Sequence, residues 1–153
     1  SYVPRYDLAN ELVGWDRVAS RVSEVGRSSS RPGVPLLVGG CHYTSCSQLR
    51  FAAQRRFPVI CPSPRRDQFD FLPGGDGSDR RGVDLLYVHD ERFPFATSLL
   101  YRCGSVHDLE SIEIRRGGRV VRRFALSVCR DFAGLRASRW PPVVEDPATR
   151  SDS

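Results

Sequence analysis

The chain has 153 residues, 40% of them hydrophobic and 27% charged, with a formal net charge of +5. That length fits one domain and allows roughly two-thirds of the unfolded surface to be buried, so no metal or disulfide staple is needed for folding. No apolar run approaches the roughly 18 residues needed to cross a bilayer, which excludes a spanning helix and makes this piece, taken alone, soluble.

There is no methionine, even at position 1, and the opening SYVPRY lacks the basic-then-apolar pattern of a signal peptide. A processed product or an excised piece of a longer protein is expected. All 23 basic residues are arginine, which points to GC-rich coding rather than to selection at a site. The arginines come in scattered pairs among 18 acids, with no basic stripe interleaved with stacking aromatics, so nucleic acid is not expected as a partner. A weaker attraction to an anionic membrane surface stays open.

Residues 1–6 read as a linker. Asp7 or Asn10 is placed to cap a helix over about residues 10–26, with Leu12, Trp15, Val18, Ala19, Val22 and Val25 on one face. The run SSSRPG ends it. Residues 34–39 (VPLLVG) have the pattern of a strand buried on both faces. Tyr43 to about Arg55 suits an amphipathic helix with Tyr43, Cys46, Leu49, Phe51, Ala52 and Ala53 as its apolar positions, and 57–61 (FPVIC) is the next strand. Strand, helix and strand in about 30 residues make a βαβ unit, which forces the two strands parallel.

Residues 61–82 are rich in proline, glycine and charge and read as a long loop, a kind that tends to be functional or mobile. Residues 83–88 (VDLLYV) read as a third strand and Pro94–Tyr101 as a short helix. Residues 105–115 and 119–130 alternate in parts around Arg116-Gly117-Gly118, a hairpin signal. The expected fold is α/β: a two-layer or three-layer sandwich with a βαβ parallel core extended by an antiparallel C-terminal hairpin. It forms a single domain over residues 7–132, and 133–153 form a flexible tail.

The five cysteines lack any Cys-x-x-Cys pair, so a zinc site is not expected and no cofactor is assigned to this chain. They read chiefly as small buried hydrophobes. The alternative is one disulfide, between Cys41 and Cys61 at adjacent strand ends.

Ligands of open α/β sheets bind beyond the carboxyl ends of the strands. Those ends carry Cys41, His42 and Tyr43, then Arg65, Arg66, Asp67, Gln68 and Asp70, then His89 and Asp90. From this cluster His42, Tyr43, Arg65, Arg66, Gln68 and Asp70 form the candidate substrate-binding set, weighed against ordinary solvent exposure at a sheet rim. No catalytic residue is assigned. A Cys41 or Cys46 nucleophile with His42 lacks an evident activating geometry, and Asp67 and Asp70 beside Arg65 and Arg66 read more simply as a salt-bridged turn. Gly39-Gly40 lacks the further glycines and the lysine of a phosphate cradle. Trp15 and Phe51 sit at core spacing, whereas Phe69 and Phe71 are better placed for stacking on a sugar.

Several motifs carry a resemblance. Gly14-Trp15 precedes a strand. His42-Tyr43 then leads into Ser47-Gln48-Leu49-Arg50-Phe51-Ala52, followed by Phe57-Pro58-Val59-Ile60-Cys61 and Arg66-Asp67-Gln68-Phe69-Asp70-Phe71. Together they resemble the soluble region after the last transmembrane helices of bacterial glycosyltransferases related to protein mannosyltransferases and to the lipid A aminoarabinose transferase. The Arg115-Arg116-Gly117-Gly118-Arg119 hairpin resembles the end of such chains, and the likeness covers about residues 7–132. Cys46 and Leu72 depart from it, standing where those relatives tend to have alanine and tryptophan.

The resemblance implies an accessory domain on the extracytoplasmic, periplasmic side of a bacterial membrane. Its partner would be the transmembrane part of a parent enzyme that uses a polyprenyl-phosphate sugar donor and a glycan, lipid or protein acceptor. The family's catalytic acid has no counterpart in this chain. The competing expectation is an independent ligand-binding or protein-interaction module that uses the strand-end cleft.

Overall fold

Gly14 decides where the first helix begins. Its backbone is left-handed, with φ 87°, and a Cβ there would lie 2.6–2.7 Å from the side-chain carbons of the buried Ile114. Helix α1 therefore runs Trp15–Ser29, and Leu8–Asn10 form a separate 3₁₀ turn. The cap is Gly14 rather than Asn10, and Leu12, ahead of the helix, is 69% exposed instead of joining the apolar face. Trp15, Val18, Ala19, Val22 and Val25 are buried as the spacing predicts. Gly14→Ala should cost about 1–3 kcal/mol, from strained backbone and overpacking against Ile114, read as a lower urea midpoint at unchanged slope.

The structure, a computed structural model, describes residues 8–63, 82–93 and 95–136. The expected linker, the long 61–82 loop beyond Ser63, Asp7, Pro94 and the tail beyond Arg136 lie outside them. After α1 come β1 (Leu36–Gly39), α2 (Tyr43–Ala53), β2 (Val59–Ile60), β3 (Val83–Asp90), α3 (Thr97–Leu100), β4 (Ser105–Arg116) and β5 (Arg119–Phe132). One mixed sheet has the order β2-β1-β3-β5-β4. Strand β1 is parallel to β2 and to β3, and β3 pairs antiparallel with β5. The parallel βαβ core extended by a hairpin is as expected. Gly117 and Gly118, with φ 56° and 77°, make the two-residue turn whose twist matches its strands.

Alternation along the strands builds two apolar faces. On one, Val38, Leu86, Val88, Ile112, Phe124 and Leu126 pack against α1 and against Leu49 and Ala52 of α2. On the other, Leu37, Leu85, Tyr87, Cys129 and Phe132 pack under Tyr101, with Phe93 and Leu100 partly buried against them. Phe51 departs from its expected core role and is 83% exposed, because Leu49, Ala52 and Ala53 occupy the inward side of α2.

The hairpin is irregular in two places. Asp108 faces Ser127 but Glu110 faces Leu126, which leaves Leu109 as an extra residue in β4; Ile114 faces Arg122 but Arg115 faces Val120, which leaves Val121 as an extra residue in β5. Such bulges bend the strand and increase its twist.

The cysteine pairing differs from expectation. Cys103 and Cys129 form a disulfide, with Cα atoms 5.3 Å apart, because residues 102–104 run beside the end of β5: Arg102 N–H donates to Gly134 O and Gly104 N–H to Arg130 O. Cys41 and Cys61 do not pair. Cys41 belongs to the second-face cluster, whereas Cys61 packs with Cys46 in a cluster of its own.

Candidate functional site

At the carboxyl ends of the parallel strands the sequence sets acids, thiols and aromatics together, and the structure sorts them by role. Asp90, the last residue of β3, is 2% exposed in its side chain. It accepts from Arg122 Nη2 at 2.5 Å, from Arg92 Nη2 at 3.0 Å and from Ser45 Oγ at 3.1 Å. Burial by itself would raise its pKa, but the Arg92 hydrogen bonds and the Arg122 charge prevail and hold it below the usual carboxylate range.

Arg122 is equally buried. Its guanidinium lies 5.0 Å from the Trp15 ring centroid and 4.5 Å from that of Phe124, and Nη1 donates to Glu11 O at 2.6 Å. Arg92 also pairs with the Glu11 carboxylate. The acid thus ties together β3, β5, the start of α2 and the approach to α1. A carboxylate held this way is structural, with no oxygen turned to chemistry.

The amino end of β3 carries a counterpart. Asp84 is buried and accepts from Arg31 Nε at 2.8 Å, Arg130 Nη1 at 2.7 Å and the Asp131 N–H at 3.1 Å. Burial opposes its ionisation, and the Arg31 and Arg130 bonds outweigh burial to lower its pKa. The central strand is therefore pinned by a doubly paired aspartate at each end.

The thiols gather round one carbonyl. Gly40 O lies 3.5 Å from Cys46 Sγ and 3.9 Å from Cys61 Sγ, and the Tyr101 hydroxyl donates to it at 3.5 Å. Burial pushes the Cys41 thiol up to about 11, so it stays protonated at neutral pH and is no ready nucleophile.

His42 and Tyr43 do come together at this end. His42 caps α2, its Nδ1 accepting from Thr44 N–H at 3.3 Å, which places the neutral ring's proton on Nε2. Its ring stacks on Phe93 at 3.9 Å with 8° between planes, and Tyr43 lies 4.7 Å away. The Arg92 guanidinium sits 5.3 Å from the Phe93 centroid, and Tyr43 is 43% exposed. The result is a short aromatic rank at the rim of the sheet. Phe93 was not anticipated, and the His-Asp-Glu-Arg-Phe run across the end of β3 was its only signal. Arg65, Arg66, Gln68 and Asp70, with Asp67, Phe69 and Phe71, lie outside the described residues.

A concavity of about 960 Å³ opens on the face of the sheet away from α1 and α2, between β3, β5 and β4 on one side and residues 95–98 on the other. Among the described residues no group of three or more His, Cys, Asp or Glu is arranged to hold a metal ion, and no helix is long and apolar enough to cross a membrane. Comparison with protein-family models, with curated proteins and with solved structures gave no match.

Proposed function

We propose that the chain is a non-catalytic, extracytoplasmic accessory domain of a polyprenyl-phosphate-sugar-dependent membrane glycosyltransferase, helping to position the acceptor. The carrying observation is the make-up of the strand-end rim. Its acid is locked between two arginines, while the groups turned outward are the His42–Phe93 stack and Tyr43. That rim suits contact rather than bond-making, with the aromatic surface and a polar tip that recognition sites favour. The motif resemblance supplies the parent enzyme. The Cys103–Cys129 bridge supports the compartment, since structural disulfides persist where the surroundings are oxidising.

The reading is tested on the gene and on the parent protein. The coding sequence upstream of Ser1 should encode a series of apolar helices of about 20 residues each. In that parent, the His42→Ala/Tyr43→Ala pair should raise the KM for acceptor several-fold and leave kcat nearly unchanged, the pattern of lost binding. A reading frame that opens immediately before Ser1, or unchanged acceptor kinetics, would overturn it.

A further inference from the structure

The concavity on the second face is a consequence of strand register. Tyr87 faces Ser127, and Ser127 faces Asp108 on its other side; one row along, His89 faces Ala125, and Ala125 faces Ser111. The middle strand of each row, β5, thus contributes a small side chain, serine or alanine, beside Tyr87 and His89 of β3. Among the described residues no long helix covers this part of the sheet: α1 and α2 pack on the opposite face. A groove remains where a bulkier β5 would have filled it.

Its lining has a definite chemistry. The Thr97 and Ser127 hydroxyls share one hydrogen bond of 2.6 Å, which leaves the pair one further donor hydrogen and spare lone pairs. His89 forms part of the wall, and its buried Nε2 has no hydrogen-bond partner among the described residues. An unpartnered buried polar atom costs free energy unless a ligand or water satisfies it. At the lip Phe95 is 48% exposed, and its backbone carbonyl is held by the Tyr87 hydroxyl at 3.2 Å. The backbone that carries this aromatic edge is therefore held in place.

Charge narrows the ligand class. Among the described residues no arginine lines this groove, which disfavours phosphate and other anions. A polycation would want converging carboxylates, but Glu110 is engaged by Arg21 at 2.7 Å, which leaves Asp108 alone among the described lining residues. A purely apolar ligand would strand the hydroxyls and the imidazole. What fits is a neutral molecule rich in hydroxyls with an apolar flank. The volume lies at the top of the range of about 300–1,000 Å³ for small-molecule clefts, which suits more than one ring.

We propose that the groove between β3, β5, β4 and residues 95–98 is a binding site for a neutral oligosaccharide, stacked on Phe95 and hydrogen-bonded by His89, Ser127 and Asp108. The site is separate from the aromatic rank and does not rest on the glycosyltransferase reading, so it is tested on this chain alone. Amide NMR spectra of the intact chain are recorded with maltotriose, cellotriose and triacetylchitotriose, and with spermidine and inorganic phosphate for comparison.

At least one trisaccharide should shift the Ser111, Ala125 and Ser127 amides saturably. Phe95→Ala and Ser111→Trp, both at exposed positions, should each weaken that binding at least tenfold while the dispersed spectrum is kept. Silence from all three sugars overturns the proposal. So does a saturable response to spermidine or phosphate alone, or sugar binding undiminished in both variants.

Discussion

Arg122→Ala should lower the free energy of unfolding by about 3–5 kcal/mol, the range for removing one partner of a buried ion pair. The change strips Asp90 of its shortest bond, removes the donor to Glu11 O and leaves a gap beside the Trp15 and Phe124 rings. Arg92 and Ser45 still bind Asp90, so the variant is expected to fold with a urea midpoint well below that of the parent. Arg122→Lys should recover little of the loss, because a compact ammonium cannot bridge a carboxylate and a carbonyl while stacking on two rings.

The same network predicts the response to acid. The pKa values of Asp90 and Asp84 are lowered in the folded state. Their ionic contribution is therefore fully present above the unfolded value of about 3.9. It is lost as the pH falls below that value and through the folded-state pKa values. Stability measured from pH 6 down to pH 2 should fall steeply at the acid end, and the fall should be shallower in Asp90→Asn, which has one fewer such proton to take up.

Reducing the Cys103–Cys129 bridge should have the next largest effect. The two residues are 26 apart in sequence, and closing a loop of that length is worth about 3–4 kcal/mol in the chain-entropy description. For a chain of this size the loss corresponds to a melting temperature lower by about 10 °C. Cys103→Ala/Cys129→Ala should match the reduced protein. Thiol titration in denaturant gives an independent check: three thiols before reduction and five after. Five thiols without reductant would show that the bridge is not formed.

The elements whose residues repeat regularly were legible in the chain. The period of Trp15, Val18, Val22 and Val25, the apolar runs around Leu37 and Ile60, and the Gly117-Gly118 turn are local patterns, and each appears as read. What escaped reading depends on contacts distant in sequence. The start of α1 is set by Gly14 meeting Ile114, 100 residues on. The cysteine pairing is set by a segment lying beside β5, which spacing alone does not reveal.

Arg122 is the instructive case. Beside Arg123 it looks like one more solvated arginine pair, yet it shares strand parity with Phe124, Leu126 and Val128 and so points to the same face. That parity was the available signal. Of the candidate set, His42 and Tyr43 lie together at the strand-end rim, whereas the second-face groove depends on cross-strand register, and register is fixed only once the bulges are known.

Those bulges also bear on how the chain behaves in company. Strand β4 lies at the edge of the sheet, and among the described residues nothing pairs with its outer side. A strand of twelve residues with free amides and carbonyls would be an inviting template for a neighbouring molecule. The extra residue at Leu109 breaks its regularity, and the end near the turn carries Glu113, Arg115 and Arg116. A second chain approaching in extended form would meet a kinked rung and mismatched charge, so this border of the described sheet is poorly suited to seeding aggregation.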